Sequence, residues 1–172
     1  GDWGSDNLPG MIVNNGGSLA AGNVLASGLT IYPDREFSGV DIDNDGDIDL
    51  ALHSYRINGT LSAYAFTLLS NDGSGAYSIA QTLPNIFNNT SDEAGTAVSM
   101  TWADFDGDGD LDLYLNRTYN SNVSGIFLNE GGTLSGVKIA IGDTTNALAG
   151  AVSVAVDWNH DGRMDSVEYA RP

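Results

Sequence analysis

The fold is decided by the stretch Val98-Ser-Met-Thr-Trp-Ala-Asp104-Phe-Asp-Gly-Asp-Gly-Asp-Leu-Asp112-Leu-Tyr-Leu115. An acidic segment stands here between two segments in which apolar residues alternate with polar ones. Such alternation is typical of a β-strand with one buried face and not of an amphipathic helix. Asp and Gly are turn-forming residues, because Asp bonds its own backbone and Gly adopts left-handed geometry. The stretch therefore predicts two strands joined by an acidic loop.

The acidic segment occurs three times with one internal spacing. The copies are residues 41–49, 104–112 and 157–165, here named loop 1, loop 2 and loop 3, with positions numbered 1 to 9. Each copy has oxygen-bearing side chains at positions 1, 3, 5 and 9, glycine at position 6 and an apolar residue at position 8. Asp-Gly pairs also occur in ordinary turns, so a single copy would leave its role open. Three copies with the same spacing favour a shared chemical role.

The chemistry that suits this pattern is the binding of a hard cation. Clustered carboxylates repel one another by about 1 kcal/mol per close pair even in water. Calcium takes about six to eight oxygen ligands, and position 7 can supply its backbone carbonyl. The sequence therefore predicts about three Ca²⁺ ions, with loop 3 the weakest site because Asn159 and Arg163 reduce its charge. The predicted metal residues are Asp41, Asp43, Asp45, Asp47, Asp49, Asp104, Asp106, Asp108, Asp110, Asp112, Asp157, Asn159, Asp161, Arg163 and Asp165.

The EF-hand is the rival interpretation of these loops. Loop 3 fits its pattern, because Glu168 stands at position 12, but Leu52 and Leu115 stand there in the other two copies. The flanks also predict strands where an EF-hand requires helices. The EF-hand is therefore not favoured.

A second repeat lies between the acidic loops. Residues 10–25 resemble residues 125–140, and residues 66–79 are a looser third copy. Their Asn-Asp-Gly and Gly-Gly sequences are typical of hairpin turns. Each unit is thus predicted to run strand, acidic loop, strand, connection, strand, tight turn, strand.

The spacing of the loops predicts the architecture. They begin at residues 41, 104 and 157, a period that fits one four-stranded propeller blade with insertions. The predicted fold class is all-β, with about three four-stranded antiparallel β-propeller blades. Residues 1–33 would be the second half of a blade, 34–92 and 93–147 two blades, and 148–172 the first half of another. Propellers usually have about four to eight blades, so we expect either a segment of a larger propeller or one completed by an oligomer.

Residues 98–115 resemble the FG-GAP/VCBS repeat, the blade unit of integrin alpha-chain propellers and of many bacterial surface proteins. The resemblance covers nearly the whole chain. The Phe-Gly and Gly-Ala-Pro signatures of the repeat are altered here to Phe37-Ser38-Gly39 and Ala149-Gly150-Ala151. The resemblance implies calcium-binding blades of a secreted or surface-anchored protein, and it specifies no ligand.

Composition excludes several classes of function. The formal net charge is -17, and there are six basic residues in all, of which Lys138 is the one lysine. No basic patch for nucleic acid can form from so few cations. The chain has no cysteine, which excludes disulfides and thiolate zinc sites. It has no apolar run long enough for membrane insertion.

Little in the sequence indicates catalysis. A carboxylate bound to calcium is a poor proton shuttle, and the acids outside the loops show no constellation. His53 and His160 are expected to have polar surface or loop roles. No catalytic or cofactor-binding residue is predicted, and we expect a protein that is not an enzyme.

Trp102 and Trp158 are expected to pack between blades, whereas Trp3, Tyr55 and Tyr119 are candidates for an exposed contact surface.

The function favoured by the sequence is a calcium-stabilised extracellular binding or adhesion module that presents propeller loops to a protein or glycan partner. One alternative is a sugar-binding lectin on the same scaffold. Another is a structural spacer in a giant adhesin or toxin. A polysaccharide-lyase-type enzyme is the least supported, because it needs a basic residue and a second calcium cluster in a cleft, and the chain has only Lys138 and five arginines. A homo-oligomer is expected if the three blades stand alone.

Overall fold

The chain consists of β-strands joined by loops and turns. The computed structural model describes residues 12–14, 16–21, 31–57, 60–83, 98–117, 125–135, 139–140 and 152–169. Within these ranges there is no helix, and hence none with the length and apolarity to cross a membrane. The strands are β1 (Ile12–Asn14), β2 (Leu19–Ala21), β3 (Ile31–Val40), β4 (Asp49–Ile57), β5 (Thr60–Asn71), β6 (Tyr77–Leu83), β7 (Val98–Ala103), β8 (Asp112–Arg117), β9 (Gly125–Phe127), β10 (Ile139–Ala140), β11 (Val152–Val156) and β12 (Asp165–Tyr169).

The strands form four antiparallel sheets. Strands β3–β4–β5–β6 make one four-stranded sheet, here named blade A, and β7–β8–β9–β10 make a second, blade B. Strands β1 and β2 pair with each other as an N-terminal half-blade, and β11 and β12 pair as a C-terminal half-blade. Neighbours in each sheet are consecutive in sequence, as in a meander. The predicted all-β, propeller-blade-like fold is confirmed.

Each acidic loop connects the first and second strands of a unit, and all three loops close in the same register. The last pair before the loop is Val40↔Asp49 in blade A, Ala103↔Asp112 in blade B and Val156↔Asp165 in the C-terminal half-blade. Position 9 of each loop is therefore the first residue of the second strand. The identical register follows from the identical loop length and spacing, because loop length fixes which residues face each other across a hairpin.

The second repeat forms the tight turn between the third and fourth strands. Asn14 pairs with Leu19 in the N-terminal half-blade, and Asn129 pairs with Leu134 in blade B. The corresponding pair in blade A, Asn71 with Tyr77, encloses one more residue. Two successive glycines follow the Asn in the first two turns, and all four have positive φ, a conformation that costs other residues strain.

The apolar core lies inside the blades and between them. The side chains that alternate inward from the strands and loops are almost fully buried, and each fully buried Leu or Phe contributes about 1.5–3 kcal/mol. The principal cluster contains Val40, Ile42, Ala51, Phe66, Leu68, Leu113, Leu115, Phe127 and Leu134. It joins residues of blade A to residues of blade B, so packing between blades is part of the core.

Polar side chains join the first strands of successive units. Strand β7 contacts both β3 and β11. The indole Nε1 of Trp102 donates a hydrogen bond to Ser38 Oγ at 2.8 Å, and the hydroxyls of Thr101 and Ser153 share one at 2.6 Å. The prediction that Trp102 packs between blades is confirmed. These contacts place the acidic loops of neighbouring units side by side, because each loop follows its first strand.

Candidate metal centre

The backbone of the three acidic loops has the same two left-handed positions. Position 6 is Gly46, Gly109 and Gly162, with φ of 94°, 100° and 87°. Position 4 is also left-handed, and it is occupied in turn by Asn44, Gly107 and His160. Glycine adopts positive φ without strain, and Asn and His adopt it more readily than most residues. With this backbone, the carboxylates of positions 1, 3 and 9 converge in loop 1 and those of positions 1, 3 and 5 converge in loop 2.

The carboxylate at position 1 closes each loop by accepting the backbone N–H of position 6. Asp41 Oδ2 accepts the N–H of Gly46 at 3.1 Å, Asp104 Oδ2 accepts that of Gly109 at 3.1 Å, and Asp157 Oδ2 accepts that of Gly162 at 3.0 Å. One contact thus recurs in three separate units. The position 1 carboxylate is held by the loop itself, and its orientation does not depend on a side chain elsewhere.

The side chains at positions 3 and 5 each use one oxygen to accept the backbone N–H two residues further along the loop. In loop 2, Asp106 Oδ1 accepts the N–H of Asp108 at 3.2 Å, and Asp108 Oδ1 accepts that of Asp110 at 2.9 Å. The corresponding bonds are present in loops 1 and 3, where Asn159 takes the part of Asp106. A hydrogen-bonded oxygen keeps a second lone pair, and the other oxygen of each carboxylate is free to bind a cation.

The carboxylates converge in two of the three loops. Ligand atoms lie within 4.8 Å of one another in two groups of three, Asp41 with Asp43 and Asp49, and Asp104 with Asp106 and Asp108. Among the described residues loop 3 gives no group of three carboxylates, because Asn and Arg replace two of the five acids found in its counterparts. The prediction that loop 3 is the weakest site is consistent with this loss of charge.

The surroundings of Asp43 in loop 1 raise the pKa of its carboxyl group. Removal from water raises the pKa of Asp43 above its ordinary value, and repulsion from Asp45, Asp49 and Asp41 raises it further, although the N–H of Asp45 opposes the shift. Asp41 Oδ1 is buried and has no hydrogen-bond partner. A buried oxygen without a partner is costly, and a bound cation would satisfy it. The donor set is entirely hard oxygen, so the residues present fit Ca²⁺.

Position 9 has a structural role that the sequence prediction did not include. Asp112 is fully buried, and its Oδ2 accepts the N–H of Phe105 at 2.8 Å while its Oδ1 accepts the N–H of Asn129 at 2.8 Å. Asp49 accepts the N–H groups of Ile42 at 3.1 Å and Asn71 at 2.8 Å in the same way. Burial raises the pKa of Asp112 despite these two bonds. Position 9 therefore ties the loop to the third strand of its blade.

Asn71 and Asn129 are site residues that sequence reasoning missed. Besides the backbone bond to position 9, each donates from Nδ2 to the position 8 carbonyl, that of Ile48 or Leu111, both at 3.2 Å. Asn129 Nδ2 also donates to the carbonyl of Ile42 in loop 1 at 2.8 Å. The sequence signal was the Asn that begins each copy of the second repeat, which was interpreted only as a turn residue.

Loops 1 and 2 are in direct contact. Asn44 Nδ2 of loop 1 donates to Asp110 Oδ1 at 2.8 Å, and the N–H of Gly131 donates to Asp110 Oδ2 at 2.9 Å. Asp110 is position 7, for which the sequence predicted binding through the backbone carbonyl. Its side chain joins two loops and a hairpin turn, a role that the sequence prediction did not include. Two candidate metal centres are thus joined by a hydrogen bond.

The histidines and aromatic residues singled out in the sequence differ in their surroundings. His160 is exposed at position 4 of loop 3, and Trp158 at position 2 is 74% exposed. The expectation that Trp158 packs between blades is therefore wrong. Its counterpart Ile42 is buried in the core cluster that joins blades A and B, whereas Trp158 lies outside that cluster. His53 and Tyr55 lie in β4, and their side chains are outside the described residues. Two further candidates, Trp3 and Tyr119, also lie outside the described residues.

Contact between blade B and loop 1 gives a testable prediction. Gly132 has φ of 89°, and a Cβ on it would lie 2.7 Å from Asp43 Cβ. Gly132→Ala is expected to cost about 1–2 kcal/mol in backbone strain and about 1–3 kcal/mol more from the clash. Gly131→Ala is the matched control, because Gly131 has φ of 60° and open space around it. Urea denaturation measures both; equal losses would mean that the hairpin does not pack on loop 1.

A comparison with protein-family models matched the part of the chain that contains loops 1 and 2. Residues 41–115 match the family model described as FG-GAP-like repeat. This confirms the predicted resemblance for a segment that runs from loop 1 to the end of the alternating strand after loop 2. The EF-hand interpretation is excluded for the described loops, since strands flank each of them. Comparisons with curated proteins and with solved structures found no match.

Proposed function

We propose that this chain is a calcium-stabilised binding module of a secreted or surface-anchored protein, built on its FG-GAP-like repeat. The observation that carries the proposal is the buried oxygen Asp41 Oδ1, which has no hydrogen-bond partner and belongs to a group of three converging carboxylates. A protein does not usually leave such an atom unsatisfied. A cation held at the centre of loop 1 would satisfy it and would neutralise the neighbouring acids.

The residues that would hold calcium are positions 1, 3 and 5 of each loop, with the position 7 carbonyl and, in loop 1, the Asp49 carboxylate that converges with Asp41 and Asp43. In loop 2 these are Asp104, Asp106 and Asp108, whose carboxylates already converge without the ion. Calcium accepts irregular oxygen geometry, whereas magnesium requires a smaller and nearly octahedral site. Bound calcium supplies positive charge to the loops. The hydrogen bonds from Gly46, Gly109 and Gly162 keep the position 1 carboxylates aligned for it.

The proposed role of the metal is to stabilise the blades. Extracellular calcium modules have dissociation constants of about 0.1–1 mM, and calcium at about that level is available outside the cell. A site with a Kd of about 0.1 mM adds about 1.8 kcal/mol at about 2 mM calcium. Three such sites would contribute about 5 kcal/mol, as much as the whole stability of a marginal domain. This supports an extracellular location.

The proposed partner is a protein or a glycan that contacts the loop edge of the blades. Loops 1 and 2 are adjacent there, and Asn44, Asp45 and Asp108 are exposed. Surface loops held by a rigid scaffold are common binding surfaces. A broad glycan panel, probed with the chain in calcium and in chelator, would show calcium-dependent binding if the partner is a sugar. Absence of binding there would direct the search to proteins.

Calcium titration by isothermal calorimetry tests the metal assignment. The metal-free chain is expected to bind about three ions, the weakest in loop 3. Asp104→Asn is expected to remove one ion, because Asn keeps an oxygen for the N–H of Gly109 but loses the charge. Glu130→Gln is the matched control, since Glu130 is exposed and lies outside the loops. Unchanged stoichiometry in Asp104→Asn would place the ions elsewhere and would overturn the assignment.

A further inference from the structure

The hydrogen bond between Asn44 and Asp110 joins the side chains of two candidate calcium loops. Asn44 is position 4 of loop 1 and stands between Asp43 and Asp45, two of the acids proposed to hold calcium. Its φ of 59° is left-handed, a conformation in which few residues other than glycine are found. Its Nδ2 donates to Asp110 Oδ1 at 2.8 Å. Loop 2 therefore holds loop 1 at a left-handed position between two of its proposed ligands.

Within loop 2, Asp110 is held by a residue proposed to bind calcium. The backbone N–H of Asp110 donates to Asp108 Oδ1 at 2.9 Å, and Asp108 belongs to the group of three carboxylates that converge there. The second carboxylate oxygen of Asp110 accepts the N–H of Gly131 at 2.9 Å, which fixes the orientation of the side chain. A continuous series of hydrogen bonds thus runs from Asp108 in loop 2, through Asp110, to Asn44 in loop 1.

A second connection between the loops is buried. Asn129 is 1% exposed, and its backbone N–H donates to Asp112 Oδ1, position 9 of loop 2, at 2.8 Å. Its side-chain Nδ2 donates to the carbonyl of Ile42, position 2 of loop 1, also at 2.8 Å. Ile42 stands between Asp41 and Asp43, whose carboxylates converge in loop 1. One residue of blade B therefore holds the backbone of loop 1 and position 9 of loop 2 together.

Loop 3 has the same backbone without these connections. Its position 4 is His160, which is left-handed like Asn44, with φ of 61°, and is exposed. In the described part of the chain, the hydrogen bonds of loop 3 stay within the loop or reach its own position 9. Loop 3 is thus a reference in which position 4 is not bonded to another loop.

We propose that loops 1 and 2 bind calcium cooperatively, and that Asp110 and Asn44 transmit the effect. The inference rests on the proposed function, since it requires calcium in both loops. A loop that is already ordered loses less conformational entropy when it takes up an ion. When Asp108 is fixed as a ligand, its bond to Asp110 orders the carboxylate that holds Asn44, and loop 1 is ordered in turn. Linkage makes the effect reciprocal, because each ion must change the affinity for the other by the same factor.

Electrostatic repulsion opposes this coupling, and it can be separated from it. Two divalent ions in neighbouring loops repel each other, and each reduces the negative charge that attracts the other. The repulsion does not depend on the side chain of Asn44, which carries no charge. A comparison of chains with and without this side chain therefore cancels the repulsion and leaves the contribution of the hydrogen bond.

A site-specific calcium titration tests the coupling. The backbone amides of Gly46 and Gly109 donate to the position 1 carboxylates, so their shifts in two-dimensional NMR spectra of the full chain report loops 1 and 2 separately. Asp104→Asn disables loop 2, and Asn44→Gly removes the bond between the loops. Glycine adopts the left-handed conformation without strain, and it already stands at position 4 of loop 2 as Gly107.

The expected result is a difference between two calcium midpoints. Asp104→Asn should raise the calcium concentration at the midpoint of the Gly46 shift about fivefold more when Asn44 is present than when glycine replaces it. His160→Gly is the matched control, because it makes the same change at position 4 of loop 3, and it should leave that difference unchanged. Asp110→Ala removes the acceptor instead of the donor and should abolish the difference as Asn44→Gly does.

The possible failures of the inference and of the calcium assignment are distinct. Equal effects of Asp104→Asn with and without Asn44 would overturn the coupling but not the assignment, because Gly46 and Gly109 would still respond to calcium. Amides that do not respond to calcium at all would overturn both. Loss of the difference in His160→Gly would show that it does not arise from the contact between loops 1 and 2. If Asn44→Gly does not fold, the same comparison with Asp110→Ala decides between these results.

Discussion

The metal-free chain is expected to gain about 10–20 °C in Tm when calcium is added to about 2 mM. Three sites would together add about 5 kcal/mol, and a domain of this size shifts by about 2–4 °C per kcal/mol. The physical source is the removal of carboxylate repulsion in loops 1 and 2 and the satisfaction of Asp41 Oδ1. Differential scanning calorimetry in chelator and then in calcium measures the shift.

The control for this melt is a chain in which position 1 loses its charge in all three loops, Asp41→Asn with Asp104→Asn and Asp157→Asn. Asn retains an oxygen for the position 6 N–H, so the bond that closes each turn is expected to remain. The second oxygen, which accepts the N–H of Gly107 in loop 2 and of Asp161 in loop 3, is lost, and the Tm of the variant in chelator measures that cost separately. The calcium-dependent rise should be largely lost in this variant. Magnesium at the same concentration should raise Tm much less, because its coordination is smaller and stricter. An equal rise with magnesium, or in the variant, would indicate general charge screening and not bound calcium.

Most of the fold could be predicted because two short repeats specify it locally. Alternation on both sides of loop 2 identifies the strands, and Gly46, Gly109 and Gly162 identify the point at which each loop reverses. The Asn-Gly and Gly-Gly pairs likewise identify the hairpin turns. These predictions depend on residues close together in sequence, where backbone geometry and side-chain type determine each other.

The contacts between units could not be predicted in the same way. Asn129 contacts Ile42 across 87 residues of chain, and Asn44 contacts Asp110 across 66. Nothing in either local sequence indicates which of several polar atoms a side chain will reach. Position 9 was predicted as a metal residue because it is acidic, yet its burial between two N–H donors depends on the third strand being in place. Trp158 was misassigned for the same reason, since its exposure depends on whether another blade packs against loop 3.

Asp112→Ala is expected to destabilise the chain by about 2–6 kcal/mol, with or without calcium, because each of two buried donors left without a partner costs about 1–3 kcal/mol. The substitution removes the acceptor of two N–H groups, those of Phe105 and Asn129. Asp112 is fully buried, so water cannot replace the lost oxygens. Loop 2 would then lose the bond from Phe105 that holds it to the start of the second strand, and that strand would lose its bond to Asn129 in the turn after the third strand. Urea denaturation in chelator and in calcium measures the loss under each condition.

Asp108→Ala separates this structural role from metal binding. In chelator, Asp108→Ala relieves repulsion in loop 2 but removes the oxygen that accepts the N–H of Asp110. Because this site is exposed, water can replace that oxygen, so stability should change little. In calcium the same change should remove the contribution of one site. Asp112→Ala is therefore expected to lower stability in chelator and in calcium, whereas Asp108→Ala should lower it only in calcium. If the loss in Asp112→Ala disappeared in chelator, position 9 would act as a metal ligand alone, and the two hydrogen bonds it accepts would contribute little to stability.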